Sequence, residues 1–239
     1  VIGTLLGVFG VLGMLGGGAL AAHAYSNSQQ NVPNAEAYGP VLWRNEAADQ
    51  LFPATVGDPP SYKYEVSDET VARWRRMGIS EDTSCSKGLS GETKKTAQRL
   101  GCEAVVRATY VDLTGEMVAT VAIIVLPKGG TEAQEMGEYL RNQSSEVVPD
   151  GAVIPLKVPG TLAAKWQESR RNGVGGTGLG GNLPYAIAVT AGAVDGRAAG
   201  YLPEEFGEYG PDNEDRRPWM DAAEALSQVF NVHITRLER

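Results

Sequence analysis

Residues 104–126 read AVVRATYVDLTGEMVATVAIIVL. Two runs rich in Val, Ile, Thr and Tyr, 104–112 and 117–126, flank Leu113-Thr114-Gly115. β-Branched and aromatic side chains suit a pleated surface and a glycine suits a tight reversal, so the stretch is a β-hairpin. Val121, Ile123 and Ile124 leave little polar edge, which puts this hairpin at the centre of a sheet.

Upstream of the hairpin, residues 67–77 read as a helix with Ser67 or Asp68 as N-cap, Val71 and Trp74 inward, and Gly78 ending it. Residues 90–100 read as a second helix closed by Gly101. Downstream, Thr131-x-x-Gln134 has the form of a capping box, followed by Ala133, Met136, Gly137 and Leu140 along one helical face. Residues 152–158 and 185–194 read as strands, Asp195-Gly196-Arg197 as a turn, and 198–202 as a segment able to pair back. Pro218 suits a first helical position, and Ala223, Leu226, Phe230, Ile234 and Leu237 recur at helical intervals. Residues 231–235 have strand-like composition, so the last turns stay open. Helices, hairpin, helix, strands and helix in that order make an α+β fold, an antiparallel sheet covered by helices on one face. No internal repeat is visible.

Residues 1–24 read VIGTLLGVFGVLGMLGGGALAAHA, without a charged side chain. A helix of that length reaches roughly 36 Å, against about 30 Å for a hydrocarbon core, so the expectation is an N-terminal transmembrane helix. Gly3-x-x-x-Gly7 and Gly13-x-x-x-Gly17 would give it small-residue faces for helix association. The rival is a cleaved signal peptide. Ala22-His23-Ala24 has the form of a cleavage site, but the apolar run exceeds the usual core of such peptides, about 7–15 residues. No Met and no positive segment precede Val1, so the sequence is expected to begin partway into a longer chain.

Residues 25–60 carry Pro33, Pro40, Pro53, Pro59 and Pro60, the composition of an extended linker. Within it, Leu42, Trp43, Ala47 and Leu51 fall near helical spacing, as in a short amphipathic helix packed on its own domain. Residues 61–239 then form the folded domain. Its two cysteines, Cys85 and Cys102, have no CxxC spacing, and His233 is the one histidine beyond residue 24, a poor basis for a metal site. A disulfide is the favoured pairing, and it persists only in an oxidising compartment, which places the domain outside the cytoplasm. Two unrelated buried thiols remain the alternative.

A formal net charge of -8 disfavours a phosphate backbone as partner, and no basic stripe with interleaved aromatics offsets it. Nucleic-acid binding is therefore not expected, and neither a cofactor nor a metal is expected. Gly173-Val-Gly175-Gly-Thr-Gly178 matches the dinucleotide fingerprint G-x-G-x-x-G. That fingerprint needs a strand before it and a helix after it. Here KWQESRRN precedes it and LGGNLP follows, so residues 173–181 read as a mobile glycine-rich loop that binds no nucleotide. His233 is expected at the surface, and no nucleophile motif accompanies it. Ser86-Lys87 stands without further support for a dyad. Glu204, Glu205, Glu208, Asp212, Glu214 and Asp215 read as a solvated acidic loop rather than a calcium site. Asn142-Gln-Ser144 is a glycosylation sequon that matters only in a eukaryotic secretory host.

Gln50-Leu-Phe-Pro53, Cys85, the run GCEAVVRATYV at 101–111 and TVAIIV at 120–125 together resemble uncharacterised single-pass membrane-anchored extracytoplasmic proteins of actinobacteria. The resemblance covers roughly residues 41–140. It implies the topology and the disulfide, and no activity. The function expected is a non-enzymatic membrane-tethered extracytoplasmic module that binds a partner protein, an envelope component or a small ligand. The alternatives are a sensor domain of a larger transmembrane signalling protein and an extracytoplasmic hydrolase. No catalytic residue is assigned.

Overall fold

A computed structural model describes residues 37–57, 67, 69–127, 130–143, 151–180, 183–197 and 216–237. Contacts divide the chain into Val1–Pro33 and Asn34–Arg239, and every described residue belongs to the second unit. The expected membrane helix (1–24), the pairing of 198–202, the acidic loop (204–215) and Ser144 of the sequon lie outside the described residues. Among the described residues, no helix is long and apolar enough to cross a membrane.

The protein is α+β, built on a six-stranded antiparallel sheet. The strands are β1 (Thr55–Gly57), β2 (Ala72–Ile79), β3 (Ala104–Asp112), β4 (Met117–Val125), β5 (Arg171–Gly178) and β6 (Tyr185–Ala193). They lie in the order β1-β2-β3-β4-β6-β5, so the β3–β4 hairpin holds the two central places. It pairs in unbroken register from Ala104 opposite Val125 to Val111 opposite Val118. Gly115 reverses the chain at a φ of 78°, where a side chain would be strained.

The described helices are α1 (Leu42–Asn45), α2 (Ala48–Leu51), α3 (Cys85–Gly88), α4 (Gly91–Arg99), α5 (Thr131–Gln143) and α6 (Arg217–Leu237). They cover both faces of the sheet, which corrects the expectation of one covered face. Ala119, Val121, Ile123 and Val125 of β4 share a core with Leu226, Phe230 and Ile234 of α6 and with Leu42, Leu51 and Phe52. The intervening Ala122 and Ile124 pack instead with Ala97 of α4 and with Ala133, Met136 and Leu140 of α5. The physical reason is the lack of polar alternation: strands apolar at nearly every position need a cover on each side.

Four further expectations are corrected. Residues 67–77 are not a helix. A 3-10 turn at Glu69–Val71 leads into β2, whose backbone bonds to β3 from Trp74 opposite Asp112 to Ile79 opposite Ala108. Pairing with a strand distant in sequence overrides the weak local period of Val71 and Trp74. Residues 152–158 join no sheet beyond a bridge from Val153 to Leu89. Pro155 and Pro159 remove ladder donors there, and side chains of the sheet hold the segment instead. Thr109 Oγ1 donates to Leu156 O at 2.8 Å, Leu156 N to Thr120 Oγ1 at 3.1 Å, and Arg107 Nη1 to Ile154 O at 2.7 Å.

The expected linker, 25–60, supplies Leu42, Leu51, Phe52 and Val56 to the core and β1 to the sheet, so the folded unit begins well before residue 61. The short helices within it dock on their own domain, as their spacing suggests. The expected glycine-rich loop is strand β5, with residues 172–177 buried. Its glycines let two helices close on it from opposite sides. The C-terminal helix runs without a break through 231–235, because Ile234 faces the core on the same stripe as Phe230.

Candidate functional site

Cys85 and Cys102 stand at disulfide distance, with Sγ atoms 2.02 Å apart and Cα atoms 6.4 Å apart. The pair spans α3 and α4 and packs against the core that includes Leu89, Ala97 and Val105. Beside it, Asp82 accepts Ser84 N at 2.9 Å, Ser84 Oγ at 2.5 Å and Lys87 Nζ at 2.8 Å. The Lys87 ammonium, followed by the Ser84 donors, holds the Asp82 carboxyl well below the usual range. Asp82 in turn raises Lys87, keeping it protonated and unsuited to act as a base for the adjacent Ser86.

The fingerprint glycines form no phosphate loop. Gly173 and Gly175 face α6: a Cβ on Gly173 would meet Met220 N at 2.5 Å, and one on Gly175 would meet Ala223 C at 2.7 Å. Gly178 faces α5, where a Cβ would meet Ala133 O at 2.6 Å. Helix backbone occupies the space that the fingerprint would leave for a pyrophosphate.

The open concavity of interest lies elsewhere. A groove of about 440 Å³ is lined by Asp49, Gln50, Thr55, Ser67, Arg76, His233, Arg236 and Leu237, with Pro53 and Ala54. Three parts of the chain build it. The α2 segment brings Asp49 and Gln50, the β1–β2 pair brings Thr55 and Arg76, and the last turns of α6 bring His233, Arg236 and Leu237.

Each part is pinned to its neighbour. His233 is 9% exposed, against the expected surface position, and its Nε2 lies 2.7 Å from Gln50 O. A carbonyl can only accept, so Nε2 carries the proton. The ring meets Phe230 edge-on at 6.2 Å between centroids, and Phe230 packs likewise on Tyr110 at 5.6 Å. Tyr110 donates to Pro53 O at 2.9 Å, and burial pushes its phenol well above the ordinary value. Arg76 Nη1 donates to Phe52 O, and Arg76 N to Ala54 O at 2.9 Å.

Sequence reading missed these residues. Gln50, Arg76 and His233 are far apart in the chain and share no motif spacing. One signal was present: His233 follows Phe230 by three, on the inward stripe of the last helix. Among the described residues, no group of three or more His, Cys, Asp or Glu could hold a metal ion. Compared with protein-family models, with curated proteins and with solved structures, the chain matches none.

Proposed function

We propose that this chain is a non-enzymatic module, tethered to a membrane by residues 1–24 and folded outside the cytoplasm, that receives a small ligand in the groove between α2, β1–β2 and α6. The observation that carries the proposal is the groove itself. Its volume, about 440 Å³, falls in the range typical of small-molecule sites, roughly 300–1,000 Å³. Its walls are fixed by Gln50–His233, Tyr110–Pro53 and Arg76–Phe52, so a ligand would meet a site that needs little reordering.

Ala54 lines the groove from an exposed position, so a large side chain there fills the space without entering the core. The test is native mass spectrometry of the full chain extracted from its own membrane. A small molecule bound to the wild type and lost from Ala54→Trp supports the site. Wild-type protein without a bound molecule, or equal occupancy in both, overturns it. Recovery of the full chain in a soluble fraction would overturn the tether.

A further inference from the structure

We infer that a small cavity beneath the last turn of α5 binds one water molecule, held by the Gln143 side-chain amide and the Thr93 hydroxyl as a fixed part of the fold. The cavity is separate from the groove and shares no lining residue with it.

Helix α5 packs tightly on β5 at Leu140, whose Cβ would lie 2.8 Å from a Cβ on Gly176. A turn later the helix ends at Gln143. There a cavity with about 10 Å³ of room for a water's centre is lined by Thr93 of α4, by Gln143 and by Gly151 to Val153, with Leu140 and Val174 beside them. Every residue lining it is buried. A cavity needs about 10–15 Å³ by this measure to hold one water, so the space takes one and nothing larger.

A cavity lined only by aliphatic groups stays dry. Gln143 decides otherwise here. It is 7% exposed, its Oε1 is shut off from solvent, and that oxygen accepts no hydrogen bond among the described residues. A buried amide oxygen without a donor costs more than immobilising the one water that supplies it. Thr93 is buried as well, with Oγ1 3.4 Å from Tyr139 Oη. A hydroxyl has one proton and two lone pairs, so it keeps capacity for the water. Gly151 has no side chain and presents main chain to the same space.

Water both donates and accepts, so it answers either orientation of the amide and of the hydroxyl. No charged side chain lines the cavity, and an ion there would lose its hydration without a countercharge. Bound in this place, the water joins α4, α5 and residues 151–153 to the sheet at one point.

The experiment is a crystal structure of the full chain in detergent, wild type beside Gln143→Leu, at a resolution that shows ordered water. One density peak within about 3.2 Å of both the Gln143 amide and Thr93 Oγ1, absent in Gln143→Leu, supports the inference. Oxygen-17 relaxation dispersion of the same two proteins in solution should show one long-lived water lost in the variant. A wild-type cavity without density, a Gln143 amide bonded to protein groups alone, or a peak retained in Gln143→Leu overturns it. So does a peak that refines as an ion or an organic molecule. If Gln143→Leu fails to fold, the wild-type peak decides alone and Gln143→Met takes its place in the relaxation measurement.

Discussion

The Cβ that Gly137 lacks would lie 2.2 Å from the backbone nitrogen of Gly178 and 2.6 Å from its Cα. Helix α5 and strand β5 therefore touch backbone to backbone, with no side chain between them. On the opposite face, Gly173 and Gly175 admit α6 as closely. Glycine in a strand costs about 0.5–1 kcal/mol relative to alanine through lost chain entropy. Dispersion contacts along both helix backbones offset that cost.

Gly137→Ala should destabilise the protein by about 1–3 kcal/mol, because the added methyl has only backbone to displace. In an open helix the same change would stabilise by about 1 kcal/mol, so the sign itself is diagnostic. Gly180→Ala, with nothing within 4 Å of the new Cβ, should stay within about 0.5 kcal/mol of wild type. Urea unfolding decides the matter, and a Gly137→Ala protein as stable as wild type would contradict the close approach.

Cys102→Ala should cost about 2–5 kcal/mol, since the bridge closes a loop around α3 and α4. Mass spectrometry of the native protein without reductant should find no free thiol. Two alkylatable cysteines would refute the pairing.

Thr120 is a polar junction beneath Trp166. Its Oγ1 accepts Trp166 Nε1 at 2.9 Å and Leu156 N at 3.1 Å, and lies 2.8 Å from Thr109 Oγ1. Thr120→Val keeps the volume but leaves an indole N–H and a backbone N–H without their acceptor. Each such loss costs about 1–3 kcal/mol, so the substitution should destabilise by about 2–6 kcal/mol. Trp166 fluorescence should also shift on this substitution; an unchanged spectrum and unchanged stability would count against the junction.

Tyr185 is buried and donates to Gly39 O at 2.6 Å, fastening the start of the described chain to the sheet. Burial pushes its phenol up to about 12, above an ordinary value of about 10. The fold holds the neutral form, so this contribution is complete below pH about 10 and is lost as pH rises through about 12. Tyr185→Phe should lose about 1 kcal/mol at neutral pH. The gap between the two proteins should shrink in denaturant titrations carried toward pH 12, whereas a gap that widens with pH would reverse the assignment.

The parts legible in the sequence are those whose signals are local. The central hairpin, the inward face of α5 through Ala133, Met136, Gly137 and Leu140, and the Gly101 stop after α4 each follow from residues within a few turns. Coverage of both sheet faces was also written in the apolar runs of β3, β4 and β6, although the helices were assigned to one side. Strand β5 was not legible. Its glycines carry an entropic cost offset by close contact with residues such as Ala133, Gly137, Trp219 and Ala223, which lie more than forty positions away on either side. β2 likewise needed its partner strand to be recognised. The disulfide pair was legible because only two cysteines exist, whereas the groove required three remote segments to meet.

The grip of α5 and α6 on β5 has a consequence for self-association. An edge strand normally offers a row of amides on which another chain can add a strand, the first step of ordered aggregation. β5 is the longer terminal strand of this sheet, yet residues 172–177 are buried. The other terminal strand, β1, has three residues and an irregular register at Val56/Gly57. Neither border is a long flat template. Replacing the β5 glycines with bulkier residues would push the helices off that border, turning loss of stability into fibre-forming propensity.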